Sequence, residues 1–346
     1  MNILYGIQGT GHGHLSRARE LLPELQKHAS VDVMTSGSTA RLSIDGSVRY
    51  RKYGISMTYD SNGGVSVLNT LRDLRPIRFI SDVQSVSVTD YDLVVSDYEP
   101  ISSWSARFRE VPTVGLSHQA AFISPKTPRP ANKSLVAEAL LRHFAPADRA
   151  IGFHFRRYDD FIEPPIIRSP IRQLEVTDSD HVTVYLPAYH HPVLKKIFES
   201  FRDLKWHIFA PSCDRPYREG NFRFNPVSNR RFLDSFGSCR GLICNAGFES
   251  CAEAMFMGKK LLAIPIRNQY EQECNAAALQ QLGVKTVDSL ENSLREIEQW
   301  LEYEKPVRMR EIADPAEVVR AILNFEASEI HPSRERQGAP LLRALN

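Results

Sequence analysis

With 346 residues and a formal net charge of +2, the chain lacks the basic excess that nucleic-acid partners require, and its basic clusters at Arg49-Tyr50-Arg51-Lys52 and Arg72 to Arg78 are broken by apolar positions. No apolar run reaches the roughly 18 residues needed to cross a bilayer, and the first residues lack the basic segment and apolar core of a secretion signal. A cytoplasmic protein without a transmembrane segment is expected, the basic clusters leaving peripheral contact with an anionic headgroup open. All five cysteines fall between Cys213 and Cys274 without a short paired spacing, so reduced thiols are expected rather than a disulfide framework or a zinc site.

In chain order, Asn2 to Ile7 reads as a first strand and Gln8-Gly9-Thr10-Gly11-His12-Gly13-His14 as a glycine-rich turn. Leu15, Ala18, Leu22 and Leu25 then form the apolar stripe of a helix. A dinucleotide-binding fingerprint needs glycine at its first, third and sixth places; counted from Gly9 the sixth is His14, and no other start repairs it. Met57 to Asn69 holds Asn62-Gly63-Gly64, a turn suited to bordering an acceptor. Tyr91 to Asp97 is a strand ending in an acid, and strand C-termini are where open α/β sheets gather their ligands. Val111 to Gln119 is another strand, delivering His118 and Gln119 at its end. Phe122 to Ala131, with three prolines and two basic residues, reads as an exposed loop.

The second half opens like the first, with a strand over His181 to Leu186, the turn Pro187 to Pro192, and a helix from Val193 to Phe201. Two halves of this size each suit a doubly wound α/β domain. Further strands are expected at Trp206 to Ala210 and Phe222 to Phe224, and Ser228 to Leu233 precedes a short helix. Glu317 to Phe325 is helical in pattern, and the residues beyond Glu326 are polar and charged.

The richest stretch runs from Leu242 to Ala276. Leu242-Ile243-Cys244 has the composition of a buried parallel strand, and Asn245-Ala246-Gly247 is a turn that lets backbone approach a ligand. A helix is expected from Ser250 through Met257, with Ala252, Met255 and Phe256 on one face and Gly258 at its end. Strand, glycine turn and helix start in that order aim free N–H groups and the positive end of the helix dipole at one spot, which favours an anion. Ser250 adds a hydroxyl there, and Glu253, one turn on, a carboxylate suited to two ribose hydroxyls. Leu261 to Pro265 is a second strand; a polar loop carrying Glu271 and Gln272 follows, before Asn275-Ala276 open another helix. Taken alone, the pattern also suits an ordinary βα unit.

The spacing of Asn245, Gly247, Ser250, Glu253, Pro265, Glu271-Gln272 and Asn275 resembles the donor-site motif of GT-B glycosyltransferases. There a histidine, glycine, serine and glutamate stand at these offsets, before a proline and an acidic-Gln pair. Gly13-His14 looks like the Gly-His that closes the first glycine-rich turn of that family. The resemblance implies an α/β GT-B fold, two Rossmann-like doubly wound domains facing a central cleft. It implies an inverting transfer of a hexosyl or N-acetylhexosaminyl group from a nucleotide diphosphate sugar, uridine-linked by expectation, to the hydroxyl of a small-molecule, glycan or lipid-linked acceptor. Donor binding is thereby carried to Gly11, Gly13, Arg172, Ser228, Asn245, Ala246, Gly247, Ser250, Glu253, Glu271 and Gln272, with Ser250 and the turn on the diphosphate, Glu253 on the ribose, and Glu271-Gln272 on the sugar.

His14 is the implied base, oriented by Asp97, with His12 as its spare; an imidazole suits proton abstraction near neutral pH. Val111 to Gln119 is similar to a His-Glu-Gln segment beside the acceptor cleft of the peptidoglycan-precursor N-acetylglucosaminyltransferases, which puts His118 and Gln119 on the acceptor side. Arg168-Ser169-Pro170-Ile171-Arg172 resembles the interdomain linker of those enzymes. Two departures stand out: Asn245 replaces the family's histidine, and the second half lacks a glycine-rich turn. No cofactor is expected, and no protein-held metal, since the acids near the donor motif lack an Asp-x-Asp pattern. The implied division is an acceptor domain over 1–168, a nucleotide-sugar domain over 169–310, a helix in 311–325 packing back on the first, and a flexible tail over 326–346. A nucleotide-sugar epimerase of the same fold and a non-catalytic nucleotide-sugar-binding protein are the alternatives, with a dehydrogenase ranking below both.

Overall fold

The computed structural model describes residues 1–9, 12–37, 48–54 and 75–324. The expectations placed on Gly11, on the 57–69 loop and on the 326–346 tail lie outside the described residues, as does the side chain of His12.

Two sheets organise the chain. The first holds β1 (Asn2–Gln8), β2 (Ser30–Ser36), β3 (Val48–Lys52), β4 (Leu93–Asp97), β5 (Thr113–Ser117), β6 (Arg149–Phe153) and β7 (Ile162–Glu163), in the order β3-β2-β1-β4-β5-β6-β7 and parallel throughout. The second holds β8 (His181–Tyr185), β9 (Lys205–Phe209), β10 (Tyr217–Glu219), β11 (Phe222–Asn225), β12 (Gly241–Asn245), β13 (Lys260–Ile264) and β14 (Lys285–Thr286). Its order is β10-β11-β9-β8-β12-β13-β14, antiparallel only at the β10/β11 edge. Central strands such as β4 and β12 are buried at every residue, which is why they read as short unbroken apolar runs.

In each sheet the chain moves outward one way and then returns to the other side of its first strand. The reversal falls between β1 and β4 in one sheet and between β8 and β12 in the other, so each leaves a crevice at the strand C-termini. The helices are α1 (His12–Leu25), α2 (Pro76–Gln84), α3 (Pro100–Phe108), α4 (Leu135–His143), α5 (Ser169–Arg172), α6 (His191–Phe198), α7 (Asn229–Ser238), α8 (Phe248–Phe256), α9 (Tyr270–Gln281), α10 (Leu294–Tyr303) and α11 (Pro315–Leu323). Leu15, Ala18, Leu22 and Leu25 of α1 are buried in one apolar cluster with Ile3, Tyr5 and Ile7 of β1 and with Val318, Val319 and Ile322 of α11. The last helix therefore lies against the first.

Several boundaries differ from the sequence reading. Helix α8 begins at Phe248, because Phe248 is buried and stacks on His118, so the turn ends at Gly247. Helix α9 begins at Tyr270, which places Glu271 and Gln272 in its first turn and not in a loop. Helix α6 starts at His191 and ends at Phe198, a shift set by Pro192 in its first turn, where its missing N–H is not needed. The segment from Phe122 to Ala131 is not an exposed loop: Phe122, Ser124 and Thr127 are buried, and Arg129 lies over the Phe122 ring while forking onto Glu138. Arg168 to Arg172 enters one turn of helix. All five cysteines are free and buried.

Candidate active site

The first crevice is built by β1, β4 and the start of α1. Pairing of Ile7 with Asp97 puts the carboxylate level with the end of β1, and α1 brings His14 over it, with Nδ1 2.7 Å from Asp97 Oδ1. Asp97 is wholly buried. Burial alone raises its carboxyl, but Arg17 and His14 outweigh that effect and hold it below the usual carboxylate range. Arg17, also buried, grips both carboxylate oxygens, Nε to Oδ2 at 2.9 Å and Nη2 to Oδ1 at 2.7 Å. An ionised carboxylate at this distance needs a donor on the imidazole, which fixes the proton on Nδ1 and leaves Nε2 as the nitrogen open to proton transfer. The next residue, Tyr98, adopts a φ of 53° that non-glycine residues rarely adopt, and its ring lies parallel to that of His14 at 6.4 Å.

The second crevice is built by β12 and α8. Gly247 caps α8 without any side-chain capping bond, so the first turn keeps backbone N–H groups that the helix itself cannot satisfy. Gly247 has an ordinary φ of −74°, and a Cβ added to it would find nothing within 4 Å. Neither strain nor packing requires glycine there; its effect is open space beside a helix N-terminus. Half-buried Ser250 stands in that first turn. Asn245 is buried, donates its Nδ2 to the Ile264 carbonyl at 3.1 Å, and keeps Oδ1 without a partner. One of its two amide N–H groups is thus engaged, and the acceptor oxygen is left to offer.

Contacts between the two halves close around these features. Glu249 of α8 accepts from Arg17 Nη1 at 3.2 Å, and its carboxylate occupies the place where a Gly13 side chain would begin. His118 places Nδ1 2.7 Å from the Phe153 carbonyl and Nε2 2.7 Å from Asn275 Oδ1, while Asn275 Nδ2 donates to the Ala246 carbonyl at 3.0 Å. Gln119 Nε2 donates to Glu271 Oε2 at 2.8 Å.

The structure therefore joins Gly13, His14 and Asp97 to the α8 start through Arg17 and Glu249, and joins His118 and Gln119 to Glu271, Asn275 and Ala246. His118 and Gln119, at the end of β5, pack against α9, the helix that carries the sugar-side pair, and not apart from it. Other expected residues are engaged elsewhere. Both oxygens of Glu253 accept from Arg168, at 2.6 and 3.1 Å, and burial raises its carboxyl in spite of that partner. Gln272 Oε1 accepts from the Ile266 backbone at 2.9 Å. Arg172 turns to Glu20 at 3.1 Å, and Ser228 precedes α7 without a side-chain capping bond. Sequence reasoning missed Arg17, Tyr98, Arg168 and Glu249. Only Arg17 had a signal, standing one helical turn after His14.

Among the described residues no cluster of His, Cys, Asp or Glu is arranged to hold a metal, and no helix is long and apolar enough to cross a membrane.

Paired doubly wound units with crevices at their strand ends form the GT-B fold of glycosyltransferases. MurG of Acinetobacter baumannii shares it with a TM-score of 0.55 at 12% identity, covering 94% of this chain and 99% of that one. So does a UDP-glucosyltransferase from Polygonum tinctorium capable of glucosylating indoxyl, with a TM-score of 0.59 at 12% identity over 93% of this chain and 92% of that one. An uncharacterized glycosyltransferase of Methanosarcina acetivorans is 25% identical over 334 residues, 82% of each chain. Residues 1–304 match the model of glycosyl transferase family 1, and the chain belongs to that family.

Proposed function

We propose that this glycosyltransferase is an inverting enzyme that moves a hexosyl or N-acetylhexosaminyl group from a uridine diphosphate sugar to an acceptor hydroxyl, with His14 as the base and the α8 start as the diphosphate site. The observation that carries it is the His14–Asp97 pair at 2.7 Å, tied through Arg17 and Glu249 to the uncapped start of α8. In this reading the acceptor oxygen attacks the anomeric carbon as its proton passes to His14 Nε2, and the bond from that carbon to the diphosphate breaks on the opposite side. Asp97 stabilises the imidazolium that results, as a buried carboxylate does for a histidine base. The N–H groups and dipole at the α8 start, with Ser250, take up the leaving diphosphate's charge without a metal.

The acceptor is assigned to 1–168 and the donor to 169–310. Glu271 is assigned to the sugar together with Gln119, which already bonds it. Glu253 serves the ribose only if Arg168 shares it, and Asn245, whose unpartnered atom is the acceptor Oδ1, is assigned to a hydroxyl or water instead of phosphate. Replacing His14 with Ala is expected to cut turnover by about 10²- to 10⁴-fold while leaving the dissociation constant for uridine diphosphate unchanged. Retained turnover removes His14 from the role. A thermal-shift screen of nucleoside diphosphates and their sugars identifies the donor, since stabilisation grows with occupancy. Absence of any shift removes the donor site.

A further inference from the structure

We infer that Arg17 is a positioning residue: by gripping both oxygens of Asp97 it holds the carboxylate against Nδ1 of His14 and so fixes which His14 nitrogen carries the proton. This rests on the reading of His14 as the base.

The geometry is specific. Asp97 Oδ1 is shared by His14 Nδ1 and Arg17 Nη2, each 2.7 Å away, and Oδ2 takes Arg17 Nε at 2.9 Å. With Arg17 holding both oxygens, the carboxylate cannot rotate away, and Oδ1 stays fixed toward Nδ1 as its acceptor. Arg17 Nη2 lies 3.2 Å from the same Nδ1. A guanidinium has donors only, so with the proton on Nδ1 the two groups share Oδ1 as their common acceptor and do not bond each other.

The remaining groups around His14 complete the setting. Asp97 and Tyr98 face it from β4 and the residue after, Tyr5 of β1 interacts with both Asp97 and Arg17, and Glu249 approaches from α8 by way of Arg17 and Gly13. Arg17 is itself fixed by packing, its guanidinium 5.2 Å over the Phe153 ring. Among the described residues its hydrogen bond to the second half runs from Nη1, while Nε and Nη2 form the fork on Asp97.

The test is ¹⁵N NMR of the His14 ring nitrogens in the full chain labelled with ¹⁵N-histidine, without any substrate, the resonance being assigned through His14→Gln. In the parent protein the ¹⁵N shifts are expected to report a proton on Nδ1. Arg17→Gln and Arg17→Lys both lose the fork on Asp97, so each is expected to admit the tautomer with the proton on Nε2. An unaltered tautomer in Arg17→Gln overturns the proposal. If that variant does not fold, an unaltered tautomer in Arg17→Lys overturns it. Since no turnover is measured, the outcome is separate from the fate of the base assignment: an active His14→Ala enzyme defeats the latter and leaves this tautomer readout decisive for Arg17.

Discussion

Gly247 separates what a ligand needs from what the fold needs. Its φ lies in the ordinary range and the space beside it is empty, so Gly247→Ala is expected to leave stability unchanged or raise it by about 0.4 to 1 kcal/mol through the unfolded chain. The same methyl group intrudes where a diphosphate would approach α8, so calorimetric affinity for uridine diphosphate is expected to fall. Equal affinity with intact stability argues against that site. Asp97 gives a pH prediction. Its folded carboxyl lies below the unfolded value, so its contribution is complete above about pH 4 and is lost as pH falls through the lowered folded value. The stability gap between the parent protein and Asp97→Asn, from urea midpoints, is therefore expected to shrink on acidification. At this scale the sequence made the His14–Asp97 pair legible, because a turn histidine and a strand-end acid each announce themselves. It could not show that Glu253 would be held by Arg168, 85 residues away, or that Asn245 would turn its amide nitrogen to Ile264 of the neighbouring strand, since both depend on tertiary neighbours.

At the scale of elements, strands were the easier reading because burial on both faces produces apolar runs that stop at a turn residue. The start of α9 was hidden for the opposite reason. Tyr270, Gln272, Cys274 and Asn275 are all buried although several are polar, because the first turns of the helix face the other half of the molecule as well as the core that Ala276, Ala278 and Leu279 enter, so burial runs round the helix and no amphipathic stripe marks it. The start of α8 was obscured by Phe248, an aromatic residue claimed by His118 across the cleft. In the second sheet, His181 of β8 and His207 of β9 stack at 3.8 Å and share Ser235. Burial first, and His181 second, push the His207 imidazole down to about 3. The unfolded chain thus takes up this proton at a higher pH than the folded one, so the stabilisation is intact above roughly pH 6.5 and declines as pH falls toward the folded value. Urea midpoints measured between neutral pH and about pH 4 are expected to fall less steeply in His207→Gln than in the parent protein. Parallel slopes would exclude His207 as a source.

Across the whole molecule, the two sheets are tied by polar contacts: Arg17 to Glu249, His118 to Asn275, Gln119 to Glu271, and Tyr270 to Glu138 at 2.6 Å. None was legible from sequence, since pairs separated by more than a hundred residues leave no local periodicity. Apolar contacts accompany them at the same seam, with Phe248 of the second half against His118 and Phe155 of the first, and Phe122 against Tyr270 and Cys274. Tyr270→Phe removes a hydrogen bond to a carboxylate and is expected to cost about 1.5 to 3 kcal/mol in chemical denaturation. A loss well below that range would mean that Glu138 is satisfied by Arg129 alone.

The packing of α11 on α1 also bears on how the protein is made. The groove that Val318, Val319 and Ile322 fill belongs to the amino-terminal half, yet those residues leave the ribosome only after the entire second sheet has been synthesised. During translation the early half waits with an oily flank uncovered, the kind of surface that holdase chaperones bind. Native assembly of the first half is in this sense post-translational, completed by a segment from the far side of its neighbour.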